Sequence, residues 1–344
     1  MFNIVDYEEL VDDNSCIFVD VRSPKEFKEA TIKGAINIPV LLDEEREDVG
    51  TVYVRENTEK AKKIGIEYIS KRLPEIFEQV QELYSQKGKK IVFFCARGGM
   101  RSGTIYSLFY SLGYKVYKLK NGYKGYRKYI NDNLKKLNGE VRYIVLYGKT
   151  GVGKTEYLKE LRKRGYNVVD LEGAANHRGS ILGGVALGGC RSQKAFETEV
   201  FEELKNKNSN IVFIEGESKR IGNIILPTFL SDAMQNGIKV CMDDTIENRR
   251  DLLVKEYTKD ENSVEDILRC LEYMGKYISK KRIEEYKTMV KEGNFKEVCE
   301  ALMVEYYDPL YTNGFKEKEF YKELFCDDKE KTIKELIDIY NEFV

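Results

Sequence analysis

Short apolar runs, each ended by turn formers, recur in two blocks of the chain. In the first, "CIFVDVRS" (16–23) and "KIVFFCARGG" (90–99) read as strands, with a helix-like stretch from Lys60 to Lys87 between them. An apolar run too short for a helix and bounded by breakers suits a strand buried on both faces, and an intervening helix makes the pair parallel. In the second, "RYIVLYGKTGVGKTEYLKELRKRG" (142–165) gives strand, loop and helix, and "YNVVDLEG" (166–173) and "NIVFIEGES" (210–218) give two further strands. Both blocks are therefore α/β. From about Asp243 the pattern changes to long charged stretches with apolar residues at helical spacing, as in "SVEDILRCLEYMGKYI" (263–278), which predicts a helical C-terminal subdomain. The expected division is a first domain over 1–130, a polar linker over 131–142 ("NDNLKKLNGEVR"), a second domain over 143–242 and the helical part over 243–344. There is no internal repeat or low-complexity tract.

Composition narrows the function more than the fold. With 344 residues, 42% of them hydrophobic, the chain can bury a core in each domain. A formal net charge of −1 gives no global attraction to nucleic acid, so any RNA contact must come from a local patch. The N-terminus is acidic and no apolar run approaches the roughly 18 residues of a membrane span, so a cytoplasmic protein without membrane contact is expected. Seven cysteines without a CxxC pair suggest neither a disulfide framework nor a zinc site. A single histidine, His177, argues against Ser-His-Asp chemistry and a histidine-rich metal centre.

Two glycine-rich loops carry the chemistry. Gly148 to Thr155 ("GKTGVGKT") fits G-x-x-x-x-G-K-[ST] after a strand and before a helix. Gly148, Gly151 and Gly153 let backbone N–H groups turn towards a phosphate, Lys154 reaches its outer oxygens, and Thr155 can ligate Mg²⁺. Nothing in such a cradle separates a nucleoside triphosphate from another diphosphate. Glu215, Glu217 and Asp170 end strands where a metal-positioning acid belongs, or are ordinary strand-end residues. The other loop, Cys95 to Arg101 with Ser102 next, spells C-x₅-R. Inward amides, a helix N-terminus and arginine stabilise a thiolate, so Cys95, Arg97 and Arg101 are the expected catalytic set, with Gly98, Gly99 and Ser102 completing an anion pocket. Phosphatase-like attack on phosphorus and chalcogen transfer both remain open at this point.

Other segments are more ambiguous. "YKVYKLKNGYKGYRKYI" (114–130) interleaves tyrosines with basic residues and no acid, so Lys124 and Lys128 are candidates for RNA contact, while packed tyrosines and solvated lysines explain the stretch equally well. His177, Arg178 and Ser180 lie in a Gly-rich connection suited to an anion or base. Arg249 and Arg250 read as a lid over phosphates or, more simply, a charged helix face. "YYDPLY" (306–311) reads as a structural turn.

"VDVRSPKEFKEATIKGAINIPV" (19–40) resembles the opening of a rhodanese domain, D-x-R-x-x-x-E-[FY] then G-[AS]-x-[NH]-[IL]-P, through Asp20, Arg22, Glu26, Phe27, Gly34, Ala35, Asn37, Ile38 and Pro39. Common rhodaneses have a loop one residue shorter than this C-x₅-R. The whole chain resembles bacterial tRNA 2-selenouridine synthases, whose loop is C-W-R-G-G-M-R-S; here Ala96 replaces the Trp. "DEEREDVGTVY" (43–53), the phosphate loop, "DLEGAANHRGS" (170–180), "SQKAFE" (192–197), "EGES" (215–218) and "YYDPLY" match in order. The resemblance implies a rhodanese-like parallel-sheet domain followed by a P-loop NTPase-like α/β domain. It implies an enzyme that geranylates wobble 2-thiouridine of tRNA from geranyl diphosphate, then replaces the geranylated sulfur with selenium from selenophosphate made by a partner enzyme. ATP is then not required. Gly153, Lys154 and Thr155 would hold the diphosphate, and Cys95 with Arg97 and Arg101 would receive selenophosphate or carry its selenium. The competing expectations are a P-loop kinase or ATP-dependent sulfurtransferase joined to a rhodanese, a C-x₅-R phosphatase-like enzyme, and a non-enzymatic tRNA-binding or redox-sensing module.

Overall fold

A computed structural model describes residues 3–86 and 88–344 and divides the chain into two compact units, 1–133 and 134–344.

The first unit is built on a five-stranded sheet of β1 (Ile4–Val5), β2 (Cys16–Asp20), β3 (Ile36–Asn37), β4 (Lys90–Phe94) and β5 (Val116–Leu119), in the order β1-β5-β4-β2-β3. Every pairing is parallel, with Asp20 opposite Phe94 at the ends of β2 and β4. Ile91, Val92, Phe93 and Phe94 are all fully buried, so both faces of β4 are covered, as its unbroken apolar run requires. Helices Thr58–Tyr84 and Met100–Ser111 supply Ile76, Val80, Ile105 and Phe109 to the core around Val19, Ile91 and Phe93. The D-x-R pair has a structural duty: the buried Asp20 carboxylate accepts from Arg22 Nη2 at 2.6 Å and Thr31 Oγ1 at 2.9 Å, and Arg22 also donates to the Ala30 carbonyl.

The second unit has strands β6 (Arg142–Gly148), β7 (Val168–Val169), β8 (Ile211–Glu215), β11 (Ile238–Asp243) and β12 (Lys322–Phe325) in the order β12-β11-β6-β8-β7, again all parallel; β9 (Arg220–Ile221) and β10 (Ile224–Ile225) form a separate hairpin. Helices between Ile246 and Phe315 pack on one another around Leu271, Met274, Ile283, Tyr286, Val290 and Leu302. Both α/β readings stand, with many helices in each unit.

Two segments differ from expectation. The helix Gly122–Gly139 runs through most of 131–142, because Tyr126, Ile130 and Leu134 recur every four residues and are buried. The tail over 243–344 is not helical throughout: β12 pairs with β11, and the last helix, Lys329–Asn341, puts Ile333, Leu336 and Ile339 into the sheet's core. Four residues with one buried side chain, Leu324, are too short a signal to stand out in a charged stretch. Among the described residues no helix is long and apolar enough to cross a membrane.

Candidate functional site

Each unit carries one glycine-rich loop at the carboxyl end of a central parallel strand, where parallel α/β sheets bind ligands.

In the first unit Cys95 follows β4, and the loop ends at Gly99, which caps the helix Met100–Ser111. Ser102 is fully buried and its hydroxyl donates to Cys95 Sγ at 3.2 Å. Burial pushes the thiol up. The Ser102 hydroxyl and N–H, the Arg101 charge and the Arg97 N–H outweigh it, holding Cys95 below the usual 9.0. Cys95 is only 3% exposed, so its sulfur lies at the bottom of the loop and not on its rim. Arg101 is held by Glu26, whose carboxylate accepts from both terminal nitrogens at 2.5 and 3.2 Å. Arg97 is exposed and pairs with no carboxylate among the described residues, leaving it the guanidinium free to meet an anion. The cup is closed by the start of the next helix: Tyr123 N–H donates to the Cys95 carbonyl at 2.8 Å and Lys124 N–H to the Ala96 carbonyl at 2.9 Å. Gly122 makes this possible, since a Cβ there would lie 2.1 Å from the Cys95 oxygen and its φ is +53°.

Lys124 and Lys128 are exposed on the helix that closes the cup, whereas Tyr123 and Tyr126 are buried. Their rings therefore offer no face to a base. Arg22 stacks on Tyr123, 4.2 Å from its ring centre.

In the second unit β6 runs into Gly148, and the helix Lys154–Lys163 begins after Gly153, which has φ +83°. Gly151 has φ +81°, and a Cβ on it would strike the Arg249 carbonyl at 2.7 Å. Lys154 Nζ donates to the Gly148 carbonyl at 3.2 Å, so the loop is folded around its own lysine. Thr155 Oγ1 lies 3.0 Å from Glu172 Oε2 and 2.9 Å from Glu215 Oε1. A hydroxyl has one hydrogen to give, so the second contact needs a protonated carboxyl. The titrations agree: burial first, then the Glu217 charge, pushes Glu172 up to about 8. Glu215, fully buried, is likewise pushed well above the usual carboxylate range by burial and by Glu172. Among the described residues no group of three or more His, Cys, Asp or Glu side chains is placed to hold a metal, and a cation arriving with the phosphates would meet Thr155, Glu172 and Glu215, whose carboxyl protons its charge would displace.

The other expected residues divide. Glu215 is brought to the loop, and Glu217 lies beside Gly179, where a Cβ would be 2.7 Å from Glu217 Oε2. Asp170 instead caps the helix Leu171–Ala175, accepting from Gly173 N–H at 2.7 Å. Glu172, two residues on, takes the place expected of Asp170; the signal was its position in the same "DLEG". His177 is wedged against Gly183 and Gly222, and burial with the Arg178 charge lowers its pKa. Arg178 donates to the Val185 carbonyl at 2.9 Å and faces Glu256 and the Tyr257 ring, so it braces the loop. Arg249 is neither lid nor charged face: it is 2% exposed, donates to the Thr150 carbonyl at 3.0 Å and pairs with Asp308 at 2.5 Å.

A family model described as the tRNA 2-selenouridine synthase AAA domain matches residues 141–342, and a rhodanese-like domain model matches 4–129. The chain belongs to the tRNA 2-selenouridine synthase family. Relatives bearing that family's name occur in Hydrogenovibrio crunogenus, 30% identical over 91% of this chain and 93% of the relative, and in Pseudomonas syringae pv. syringae, 30% identical over 87% and 88%. In Bdellovibrio bacteriovorus another is 38% identical over 48% of this chain and 43% of its own length.

Proposed function

We propose that the chain is a tRNA-modifying transferase that geranylates 2-thiouridine at the wobble position and then exchanges the geranylated sulfur for selenium. The observation that carries this reading is the pairing, in one chain of this family, of a phosphate loop folded around Lys154 and a second anion cup built over a thiol.

Geranyl diphosphate ionises at C1–O: the bonding pair leaves on the diphosphate, which the loop amides and Lys154 receive. A lone pair of the thiocarbonyl sulfur forms the new S–C1 bond, and the base loses its N3 proton to solvent. No phosphoanhydride is cleaved, so ATP is not consumed. Alkylation matters because a C2 thioether departs as a thiol, whereas the thiocarbonyl sulfur does not. In the second step the Cys95 thiolate attacks phosphorus of selenophosphate and the P–Se bonding pair leaves as hydrogen selenide; the selenide attacks C2, geranylthiol leaves with a proton, and water cleaves the cysteinyl S–P bond to return the thiolate and phosphate. Loop amides and Arg97 take the selenophosphate oxygens above Cys95, and Lys124 and Lys128 lie on the helix that closes that cup, in reach of the tRNA backbone.

Single-turnover reactions with thiolated tRNA, geranyl diphosphate and selenophosphate, read by mass spectrometry, test the division. Cys95→Ser keeps geranylation and loses selenation. Lys154→Ala loses geranylation by about 100-fold or more, as expected when a diphosphate-binding cation is removed. Equal loss of both steps in both variants rejects the reading.

A further inference from the structure

Beside the phosphate loop lies a cavity of about 500 Å³ that none of the chemistry above uses. Tyr147, the residue before the first loop glycine, forms one wall, and Tyr306, Tyr307, Leu310, Tyr311 and Phe315 form another. These come from a π-helical turn, Met303–Tyr307, and the helix Asp308–Phe315, so "YYDPLY" is not a turn but a helical wall. π-helical turns are costly and cluster at functional sites. The wall is fastened to the loop: Arg249 bridges the Thr150 carbonyl and the Asp308 carboxylate. Tyr147 packs edge-on to Phe315, ring centres 6.3 Å apart, with Gly216 beneath it.

The cavity meets the phosphate site at its polar end. Glu217 lines it and senses the Lys154 charge; Tyr311, on the opposite wall, senses both Glu217 and Glu172, the latter 3.0 Å from Thr155. An amphiphile fits this layout, its phosphates on the loop and a chain of several carbons among the rings. We propose that this cavity binds the isoprenoid chain of the allylic diphosphate whose head the loop holds, and that its aromatic wall sets the chain length accepted. The proposal rests on the diphosphate reading of the loop. Aromatic faces also suit the allylic cation that forms as the C1–O bond lengthens, since the ring quadrupole attracts positive charge.

Equilibrium binding to the full chain of inorganic pyrophosphate, dimethylallyl, geranyl and farnesyl diphosphates, and ATP, tests it. Affinity should rise by at least about tenfold from pyrophosphate to geranyl diphosphate, as burial of several CH₂ groups demands. Gly314→Trp adds bulk to the lining at a residue with no atom within 4 Å of a built Cβ. It should abolish that rise while leaving pyrophosphate affinity within about twofold of wild type, as a change confined to the chain subsite requires. Tyr311→Ala, which empties the wall, should weaken geranyl more than dimethylallyl diphosphate. If pyrophosphate binds but added carbons bring no gain, or both variants bind geranyl diphosphate normally, the chain lies elsewhere and the proposal fails while the head-group reading survives. If ATP binds and neither pyrophosphate nor any allylic diphosphate does, both fall.

Discussion

The two loops solve the same problem with opposite electrostatics. Each follows a central parallel strand, opens a helix and is closed by backbone from a distant segment: Tyr123 and Lys124 N–H groups over the thiol loop, the Arg249 side chain and carbonyl against the phosphate loop. In the thiol loop the acid, Glu26, is ionised and ties down Arg101, so positive charge and inward N–H groups remain to hold a thiolate. Around the phosphate loop burial and mutual repulsion push Glu172 and Glu215 towards their neutral forms, so fewer anionic oxygens face an incoming anion beside Lys154. One site prepares an anionic nucleophile and the other an anion receptor, which is the asymmetry that the proposed two-step exchange requires.

The most severe way to break the comparison is steric. Gly122→Ala puts a methyl 2.1 Å from the Cys95 carbonyl and 2.5 Å from Gly98 N at a φ of +53°, with backbone on every side. It should cost more than about 3 kcal/mol, enough to open the cup. Gly99→Ala, whose Cβ meets nothing within 4 Å, should stay within about 0.5 kcal/mol. Urea denaturation of the two variants reads the difference; equal stability would mean the helix start does not close the cup.

The next effect is a pH dependence peculiar to the second unit. Glu172 titrates at about 8 in the folded chain against 4.5 for a free side chain. Between those values the folded state holds a proton that the unfolded state has lost, so stability falls as pH rises through 4.5 to 8 and levels above. Glu172→Gln stays neutral, removes its own part of this slope while Glu215 and Glu217 keep theirs, and should gain about 2 kcal/mol at pH 8, an amount discounted for partial exposure and for the charge shared with those two acids. Denaturation at pH 5 and pH 8 decides it. A slope as steep in the variant as in the wild type would place the proton elsewhere.

What could be read from the amino acids tracks how local the physics is. Cys95, Gly148 and Thr155 are legible because loop chemistry lies in consecutive residues, and the flanking apolar runs give the strands. Glu172 was passed over for Asp170 because both end the same strand and only the turn of the helix Leu171–Ala175 decides which carboxylate faces Thr155 and which caps the helix. Arg249 looked like a surface charge because its partners, Thr150 and Asp308, are distant in the chain. The Gly-rich connection that marks His177 as a pocket residue is visible in the chain, but that Gly183 and the distant Gly222 pack on its ring is set by the fold. The tyrosines of 306–311 were invisible as a wall because a π-helical turn sets their directions, and no periodicity announces one.

The smallest expected effect sharpens the comparison most, since it isolates the thiol. Ser102 lies inside the helix that begins after Gly99, and its hydroxyl donates to Sγ. Ser102→Ala removes that donor but keeps the helix, the Arg101 charge and the loop amides. The thiol should therefore move up towards 9.0, and its alkylation by iodoacetamide, followed against pH, should shift its midpoint upwards by about one unit, the size of one hydrogen bond to a charged group. At pH 7.5 this slows alkylation several-fold, while pyrophosphate binding at the other loop stays unchanged. A midpoint unmoved by Ser102→Ala would mean that Arg101 and the helix N-terminus alone hold the thiolate, and the contrast between the loops would then rest on Glu26 and its arginine.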